Sequence, residues 1–170
     1  MLFAVITATG LIVMICFAFV LLRGAPYLPT LGNQVKAALD LIDLDPGDTL
    51  LELGCGDGKV MIAAAERGLR VVGYELNPIL ALIAWVRTRR YGTQITVVWG
   101  DFWTKPWPKA DGIFVFLLDT YMQKLDTKIV QSKHERVKHS KGIKLVSFAF
   151  QVPGKMPVAE RQGVYLYKYH

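Results

Sequence analysis

Residues 50–60, with the sequence LLELGCGDGKV, constrain the fold of this chain more than any other segment. The first four residues are apolar apart from one acid, which is typical of a buried strand, and three glycines follow at alternate positions (Gly54, Gly56 and Gly58). Glycine lets the backbone take positive φ and approach a ligand closely. The next residues, MIAAAERG, favour a helix that ends at a glycine. A strand, a glycine turn and a helix together predict a ligand-binding crevice at the carboxyl end of a parallel strand.

The glycine spacing restricts the kind of ligand. A dinucleotide fingerprint would place its third glycine where this chain has Lys59, and the Gly-Lys-Ser/Thr sequence of a P-loop does not follow. Glu75 closes the second predicted strand, 17 residues after Gly58. A carboxylate there can accept both hydroxyl groups of a ribose, and each charge-assisted bond contributes about 1.5–3 kcal/mol. The alternative is a tight turn with a purely structural role, which needs no ligand.

The form Glu-x-Gly-x-Gly-x-Gly, from Glu52 to Gly58, resembles motif I of class I S-adenosylmethionine-dependent methyltransferases. Together with the sequences PYLPT at 26–30 and GYELNP at 73–78, and with an apolar N-terminal segment, it resembles one branch of that class. This branch comprises the membrane-anchored protein-lysine methyltransferases of mitochondria, which modify the ATP synthase c subunit and the adenine nucleotide translocase, and their prokaryotic relatives. The resemblance implies S-adenosyl-L-methionine as cofactor and a protein lysine as methyl acceptor.

The same resemblance implies roles for individual residues. The methionine end of the cofactor would be held by the acid and the glycines of motif I, namely Glu52, Gly54, Gly56 and Gly58, and Asp57 would take the cofactor's amino group. Glu75 would hold the ribose, and Asn77 would support that turn. Asp101 would accept a hydrogen bond from the adenine amino group, with Phe102 packed on the ring, although an aspartate after Gly100 is also a common turn residue. Thr30 and Tyr27 would close over the cofactor, or act as a helix cap and a headgroup-level aromatic.

Candidate catalytic groups follow the fourth predicted strand. Asp119 lies at its end and is our candidate for accepting the proton of a substrate lysine; its alternative role is to cap the next helix. Trp103, Trp107 and Tyr121 are candidates for lining a lysine channel through cation–π contact, with ordinary aromatic packing as the alternative. His134 and His139 lie in a polar run that reads as a solvated helix face. No cluster of residues has the spacing of metal ligands, so no metal is expected.

Residues 1–22 contain no charged side chain and no proline, and they contribute much of the mean hydropathy of +0.31. As a helix they would reach roughly 33 Å, enough to cross a hydrocarbon core of about 30 Å. A cleaved signal peptide would show a positive start and a small-residue cleavage site, neither of which is clear. We therefore predict a transmembrane anchor over 1–22, a short tether over 23–30 and a methyltransferase domain over 31–170.

The flanks of the apolar run predict its orientation. No Lys or Arg precedes it and Arg23 follows it, so the positive-inside rule places the domain in the cytoplasm, or in the matrix of a mitochondrion. The two cysteines, Cys16 and Cys55, lie in the apolar run and in the glycine turn, and we do not expect them to form a disulfide. A reducing compartment is consistent with this pattern.

The basic residues are concentrated near the C-terminus. Residues 120–170 contain ten Lys and Arg against three acids, within a chain of formal net charge +6. For an anchored domain, anionic lipid headgroups explain this excess more economically than nucleic acid, and an ordinary solvated surface is the alternative. The expected partners are therefore a lipid bilayer and a membrane protein, without nucleic acid.

Alternating strand and helix patterns predict an α/β fold, a Rossmann-like parallel sheet with helices on both faces. Strands are predicted over 49–53, 70–74, 95–99, 112–118, 143–150 and, as an antiparallel edge, 163–169. Helices are predicted over 31–44, 59–67, 78–90 and 121–138. The segment 152–158 carries two prolines and is predicted as a loop or a short strand. Relative to a seven-stranded methyltransferase sheet, the C-terminal end is predicted to be abbreviated.

Several functions are compatible with these features. The first is a membrane-tethered methyltransferase acting on a lysine of a membrane protein, and the second is the same enzyme acting on a lipid amine or a quinone. A catalytically inactive scaffold is a third, but a scaffold need not keep Glu52, the three glycines, Glu75 and Asp101 together. A nucleic-acid methyltransferase is a fourth, but the Asn/Asp-Pro-Pro-Tyr type motif of many base N-methylating enzymes is absent after the fourth strand.

Overall fold

The computed structural model describes residues 32–134 and 142–169, together with residues 1, 3, 5–7, 10, 11 and 14. Within 32–134 and 142–169 the chain alternates strands and helices: α1 (Gly32–Ile42), β1 (Thr49–Leu53), α2 (Lys59–Ala65), β2 (Arg70–Glu75), α3 (Pro78–Thr88), β3 (Ile95–Trp99), β4 (Gly112–Val115), α4 (Asp119–His134), β5 (Ile143–Phe148), β6 (Ala159–Arg161) and β7 (Val164–Tyr169). A 3-10 segment, Arg89–Gln94, joins α3 to β3.

The strands form one sheet in the order β3-β2-β1-β4-β5-β7-β6. The pairs β1–β2, β1–β4, β2–β3 and β4–β5 are parallel, because each connection passes through a crossover segment. The last strand, β7, runs antiparallel between β5 and β6. It follows β6 through a two-residue turn, Gln162 and Gly163, both at positive φ, which is the conformation that suits tight hairpins. The glycine turn lies at the carboxyl edge of the parallel strands.

Side chains of the strands alternate between two separate cores. Leu50 packs with α1, α2 and α3 on one face, whereas Leu51 and Leu53 pack with α4 on the other. All three leucines are at most 1% exposed. Because β1 is paired on both sides, its apolar run can fill both layers, as in other doubly covered parallel sheets. The prediction of helices on both faces is confirmed.

The two faces are covered unequally. Three helices cover the first face, whereas α4 covers the second with help from aromatic side chains of the loops and strands, including Trp103, Trp107 and Tyr165. In the described part of the chain, the segments between β3 and β4 and between β5 and β6 form loops instead of helices. Relative to a sheet in which each connection contains a helix, the described part of the chain therefore lacks helices at these two connections.

The predicted loss of strands at the C-terminal end is wrong, since the sheet has seven strands. The additional strand is β6, which has three residues and a mostly exposed burial pattern. A strand this short has no hydrophobic run, so the sequence contains no signal for it. The strand β4 ends at Val115, three residues before its predicted end, because the chain turns there into α4.

The predicted anchor (1–22) and tether (23–30) fall largely on residues outside those the structure describes, as does the predicted end of α4 over 135–138. Among the residues that are described, no helix has both the length and the apolar character needed to span a bilayer.

Candidate functional site

The three glycines of the turn between β1 and α2 all have positive φ. Gly54, Gly56 and Gly58 have φ values of 90°, 53° and 80°, a region that other residues rarely adopt. The backbone N–H groups of Gly54 and Cys55 both donate to the carbonyl oxygen of Tyr74 on β2, each at 2.9 Å. The turn is therefore folded back over the end of β2.

Two of these glycines have different surroundings. A Cβ added at Gly54 would meet no atom within 4 Å, so open space lies above the end of β1. A Cβ added at Gly58 would lie 3.2 Å from Thr88 Cγ2 and 3.3 Å from Ala84 Cβ, both on α3. Gly54 thus leaves room for a ligand, whereas Gly58 lets α2 begin close to α3.

Glu75, at the end of β2, holds the turn from the other side. Its Oε2 accepts the N–H of Gly56 and its Oε1 accepts the N–H of Asn77, each at 2.8 Å. Burial raises the pKa of this carboxyl, and the hydrogen bonds from Asn77 and Gly56 partly oppose that shift. Each carboxylate oxygen has a further lone pair, so Glu75 can still accept a ribose hydroxyl.

Glu52 is a second buried acid in the same place, with 3% of its surface exposed. Its Oε2 has no hydrogen-bond partner. Burial, and then the neighbouring charges of Glu75 and Asp57, raise its pKa well above the ordinary value. A buried acid beside other acids, with an unused oxygen, is the environment that a cationic ligand would stabilise.

Asp57 is placed differently from Glu52 and Glu75. Its carboxylate forms an ion pair with Arg87 of α3, and the same guanidinium donates to the carbonyl oxygen of Asp57 at 3.1 Å. Sequence spacing gave no signal for Arg87, since it depends on how α3 lies against the turn. A direct contact between Asp57 and the cofactor's amino group stays a prediction.

Asn77 caps α3. Its Oδ1 accepts the N–H of Ile79 at 2.9 Å and of Leu80 at 3.4 Å, and the residue is fully buried. Its Nδ2 is buried without a hydrogen-bond partner. The structure therefore assigns Asn77 the support of the turn after Glu75.

Asp101 and Phe102 follow β3 at the same edge. Asp101 Oδ1 accepts the N–H of Trp103 at 2.8 Å, as in a turn that follows a strand. Phe102 is 9% exposed and packs in the second core, with its ring centroid 4.7 Å from that of Trp103. Their contacts with adenine stay predictions.

The candidate acceptor region lies at the end of β4. Asp119 is the first residue of α4, is exposed, and accepts the N–H of Thr120 at 2.7 Å, so it serves the start of the helix. Trp103 and Tyr121 have ring centroids 6.2 Å apart. Thr30, Tyr27 and His139, like the side chain of His134, lie outside the described part of the chain.

The chain's own lysines contact the candidate aromatic residues. Lys124 Nζ lies 4.3 Å from the centroid of the Trp103 ring, and Lys128 Nζ lies 5.0 Å from that of Trp107. Lys128 Nζ also donates to the carbonyl oxygen of Trp103 at 2.8 Å. The cation–π geometry that we expected for a substrate lysine is thus made by residues of α4, a contact that the sequence pattern did not indicate.

These residues fit S-adenosyl-L-methionine. The open space at Gly54 can take its methionine end, and Glu75 can take its ribose. Glu52, buried with an unused oxygen, can ionise beside its positive sulfonium and ammonium groups, since a nearby cation favours the charged form of a carboxyl. Cys55 is not a candidate nucleophile, because burial and then the charge of Glu52 raise the pKa of its thiol well above the ordinary value.

Comparison with known proteins gives the family. The model of the ANTKMT methyltransferase domain matches residues 52–159. The adenine nucleotide translocase lysine N-methyltransferase of Mus musculus is 33% identical over 137 residues, which are 79% of this chain and 57% of that protein. A Xenopus laevis lysine N-methyltransferase named for the ATP synthase c subunit is 33% identical over 108 residues, 61% of this chain and 46% of that protein. The chain thus spans about half the length of these two relatives.

A prokaryotic relative and a solved structure match over more of their own length. The protein-lysine N-methyltransferase of Saccharolobus islandicus is 27% identical over 136 residues, 78% of this chain and 81% of that protein. An RNA methyltransferase from Salinibacter ruber, solved with S-adenosyl-L-homocysteine, superposes with a TM-score of 0.73 and 29% identity, covering 84% of this chain and 94% of that one.

Proposed function

Because the chain belongs to the ANTKMT methyltransferase domain family, we propose that it is an S-adenosylmethionine-dependent protein-lysine N-methyltransferase. The observation that carries the proposal is the site itself: two buried acids, Glu52 and Glu75, meet at a glycine turn inside the matched region. Named protein-lysine methyltransferases among the relatives support the choice of lysine as acceptor.

The protein's task in this reaction is mainly to position the two reactants. When bound, the cofactor supplies a methyl group already activated by its sulfonium. Glu75, fixed by two backbone N–H groups, orients the ribose, and the glycine turn excludes side chains from the methionine end. Glu75 and the glycine turn would together hold the cofactor in one orientation.

The lysine must lose its proton before it can attack. With a reference pKa near 10.4, deprotonation at pH 7.4 costs about 4 kcal/mol. In this proposal Asp119, which is exposed at the start of α4, accepts that proton directly or through water. Tyr121, two residues after Asp119 in α4, can contact the lysine chain, whereas Trp103 already contacts Lys124 of this chain.

We propose a membrane setting for the reaction. Residues 1–22 form the anchor and 23–30 the tether, and the domain faces the cytoplasm, or the matrix in a mitochondrion. The uncharged apolar run and the single following Arg23 support this arrangement. The acceptor is a lysine of a membrane protein. A lipid amine or a quinone is the alternative acceptor, since the same tether would bring the site to either.

One observation favours a different acceptor. The Salinibacter ruber protein that superposes on most of this chain is named an RNA methyltransferase. Against RNA stands the sequence after β4, residues 116–121, which read FLLDTY and lack a proline pair. RNA is therefore included among the acceptors to be tested.

The test is methyl transfer from labelled cofactor. Full-length protein is incubated with membranes and with RNA from the source organism, and label is counted in the protein, lipid and RNA fractions. We expect label in a protease-sensitive band that yields methyllysine on hydrolysis. The Glu75→Ala variant is the control for site-dependent transfer. Label only in the lipid or only in the RNA fraction would replace lysine as the acceptor, and no label in any fraction would overturn the proposed activity.

A further inference from the structure

The helix α3 has mostly small side chains on its inner face and several large apolar side chains on its outer face. The buried residues are Leu80 in the first turn and the smaller Ala81, Ala84 and Thr88. Four large apolar residues on the outside are exposed: Leu82 by 59%, Ile83 by 40%, Trp85 by 56% and Val86 by 44%. An ordinary surface helix has the reverse arrangement.

The inner positions of α3 that face the glycine turn are small because the turn lies close to them. The glycine turn packs directly on α3, and a single added Cβ at Gly58 would already crowd Ala84 and Thr88. Larger inner side chains would displace that turn. No such constraint acts on the outer positions, where polar residues would suit water better. The apolar residues there are therefore explained by a contact outside the folded body.

Trp99 extends this surface. It ends β3, which is an edge strand, and its side chain is 65% exposed. Its indole N–H donates to the carbonyl oxygen of Leu76 at 3.2 Å, just before the start of α3. We call the surface formed by Leu82, Ile83, Trp85, Val86 and Trp99 the α3 apolar face.

The surroundings of the α3 apolar face indicate what it contacts. Arg89 and Arg90 follow α3 directly and are exposed. Arg90 donates to Tyr91 Oη at 2.8 Å and lies 3.8 Å from Glu66, in an exposed group of side chains. Arg87 is bonded to Asp57. The face combines exposed apolar residues of α3 with two tryptophans, Trp85 on α3 and Trp99 on β3, and has basic residues at the end of the helix. This combination favours the interface of an anionic membrane.

We infer that the α3 apolar face docks the domain onto an anionic lipid bilayer, with Trp85 and Trp99 in the interface and Arg89 and Arg90 against headgroup phosphates. This contact is separate from the anchor proposed over 1–22 and does not depend on methyl transfer. Because the N-cap of α3, Asn77, lies two residues after Glu75 and donates its N–H to that carboxylate, docking also holds the carboxyl edge of the sheet, and thus the site, beside the membrane surface.

Quenching by brominated lipids tests the inference. Full-length protein is reconstituted into vesicles of phosphatidylcholine and phosphatidylglycerol, with and without bromine on the acyl chains, and tryptophan emission is recorded. We expect bromine to reduce emission of the wild-type protein. In the Trp85→Phe/Trp99→Phe variant at least half of that reduction should be lost. Trp107→Phe, which changes a tryptophan packed on the opposite face of the sheet, is the matched control and should retain it.

The lipid charge and the competing occupants are tested in the same system. Replacing phosphatidylglycerol with phosphatidylcholine, or introducing Arg89→Glu and Arg90→Glu together, should weaken the quenching at least twofold. Equal quenching in wild type and in Trp85→Phe/Trp99→Phe would overturn the inference. So would a dimer in sedimentation experiments that Leu82→Asp dissociates, since the face would then belong to a second copy. Circular dichroism of each variant checks that the domain is folded.

Discussion

Glu75 Oε2 accepts the backbone N–H of Gly56 at 2.8 Å, which ties the end of β2 to the middle of the glycine turn. The other oxygen of the same carboxylate accepts the N–H of Asn77, so one side chain fixes both turns at the edge of the sheet. An acid that holds its own site in this way is already oriented before a ligand arrives. Preorganisation of this kind lowers the entropy cost of binding.

Glu75→Ala is expected to weaken S-adenosylmethionine binding at least tenfold, about 1.4 kcal/mol. The variant removes the carboxylate that takes the ribose and releases the N–H groups of Gly56 and Asn77. Isothermal titration calorimetry measures the effect. Glu160→Ala, an exposed acid on β6, is the matched control and should bind as the wild type does. Unchanged affinity in Glu75→Ala would remove the ribose assignment.

Glu52 should make the folded state less stable as pH rises. Burial raises its pKa in the folded protein above the ordinary value of 4.5. At a pH between 4.5 and the raised pKa, the folded state therefore holds a proton that the unfolded state has lost. The stabilising contribution is complete below 4.5 and is lost as pH increases through the raised pKa.

Glu52→Gln should therefore raise the melting temperature at pH 8 and flatten its fall between pH 5 and 8, as measured by circular dichroism of the full chain. The same variant should bind the cationic cofactor more weakly, since glutamine cannot ionise in response to the cofactor's positive charge as Glu52 can. Glu66→Gln, on an exposed residue, is the control. A Glu52→Gln protein that is less stable than wild type at pH 8 would contradict the account of this acid.

Gly73→Ala is expected to destabilise the fold by about 1–3 kcal/mol through overpacking. Its added Cβ would lie 2.6 Å from both Sδ and Cε of Met61 and 2.8 Å from Cys55 Cβ. Gly73 pairs with Glu52 across β1 and β2, so the strain would also reach the site. Urea denaturation measures the free energy of unfolding. Gly32→Ala, in α1 with no atom within 4 Å, is the control and should be neutral or slightly stabilising.

Tyr169→Phe should cost about 1.5–3 kcal/mol of stability, the range for hydrogen bonds to charged groups. Tyr169 Oη donates to Asp126 Oδ1 at 2.6 Å, and Lys155 Nζ lies 2.5 Å from the same oxygen. Asp126 lies on α4, Lys155 in the loop before β6, and Tyr169 on β7, so the cluster joins three parts of the fold. Burial, and then the bond to Asp126, raise the pKa of Tyr169, so its phenol should titrate at a higher pH than that of an exposed tyrosine. Tyr165→Phe, on the same strand and half-buried, is the control.

Much of the site was predictable because its residues are adjacent in sequence to the ends of strands. The strand bounds 49–53 and 95–99 were predicted as they occur, since a run of apolar and β-branched residues stands there between turn signals. The glycines follow β1 and Glu75 ends β2, and parallel strands bring their carboxyl ends to one edge of the sheet. For this reason the motif spacing alone predicted that Glu52 and Glu75 belong to one site.

Contacts between distant helices could not be predicted in the same way. The ion pair of Asp57 with Arg87 and the packing of Lys124 on Trp103 depend on how α3 and α4 lie on the sheet. Hydrophobic periodicity reports which face of a helix is buried but not its axial position or tilt. The exposed apolar side chains of α3 were also not predictable, because a helix that is apolar on all sides is normally buried.

Calorimetric titration of the full chain with S-adenosyl-L-methionine tests the central claim most directly, because every role above assumes that the glycine turn and its acids bind this cofactor. We predict one molecule bound per chain, displaced by S-adenosyl-L-homocysteine and weakened at least tenfold in Glu75→Ala. A protein shown to be folded by circular dichroism that gives no binding heat with the cofactor, and no competition with its demethylated product, would contradict the account.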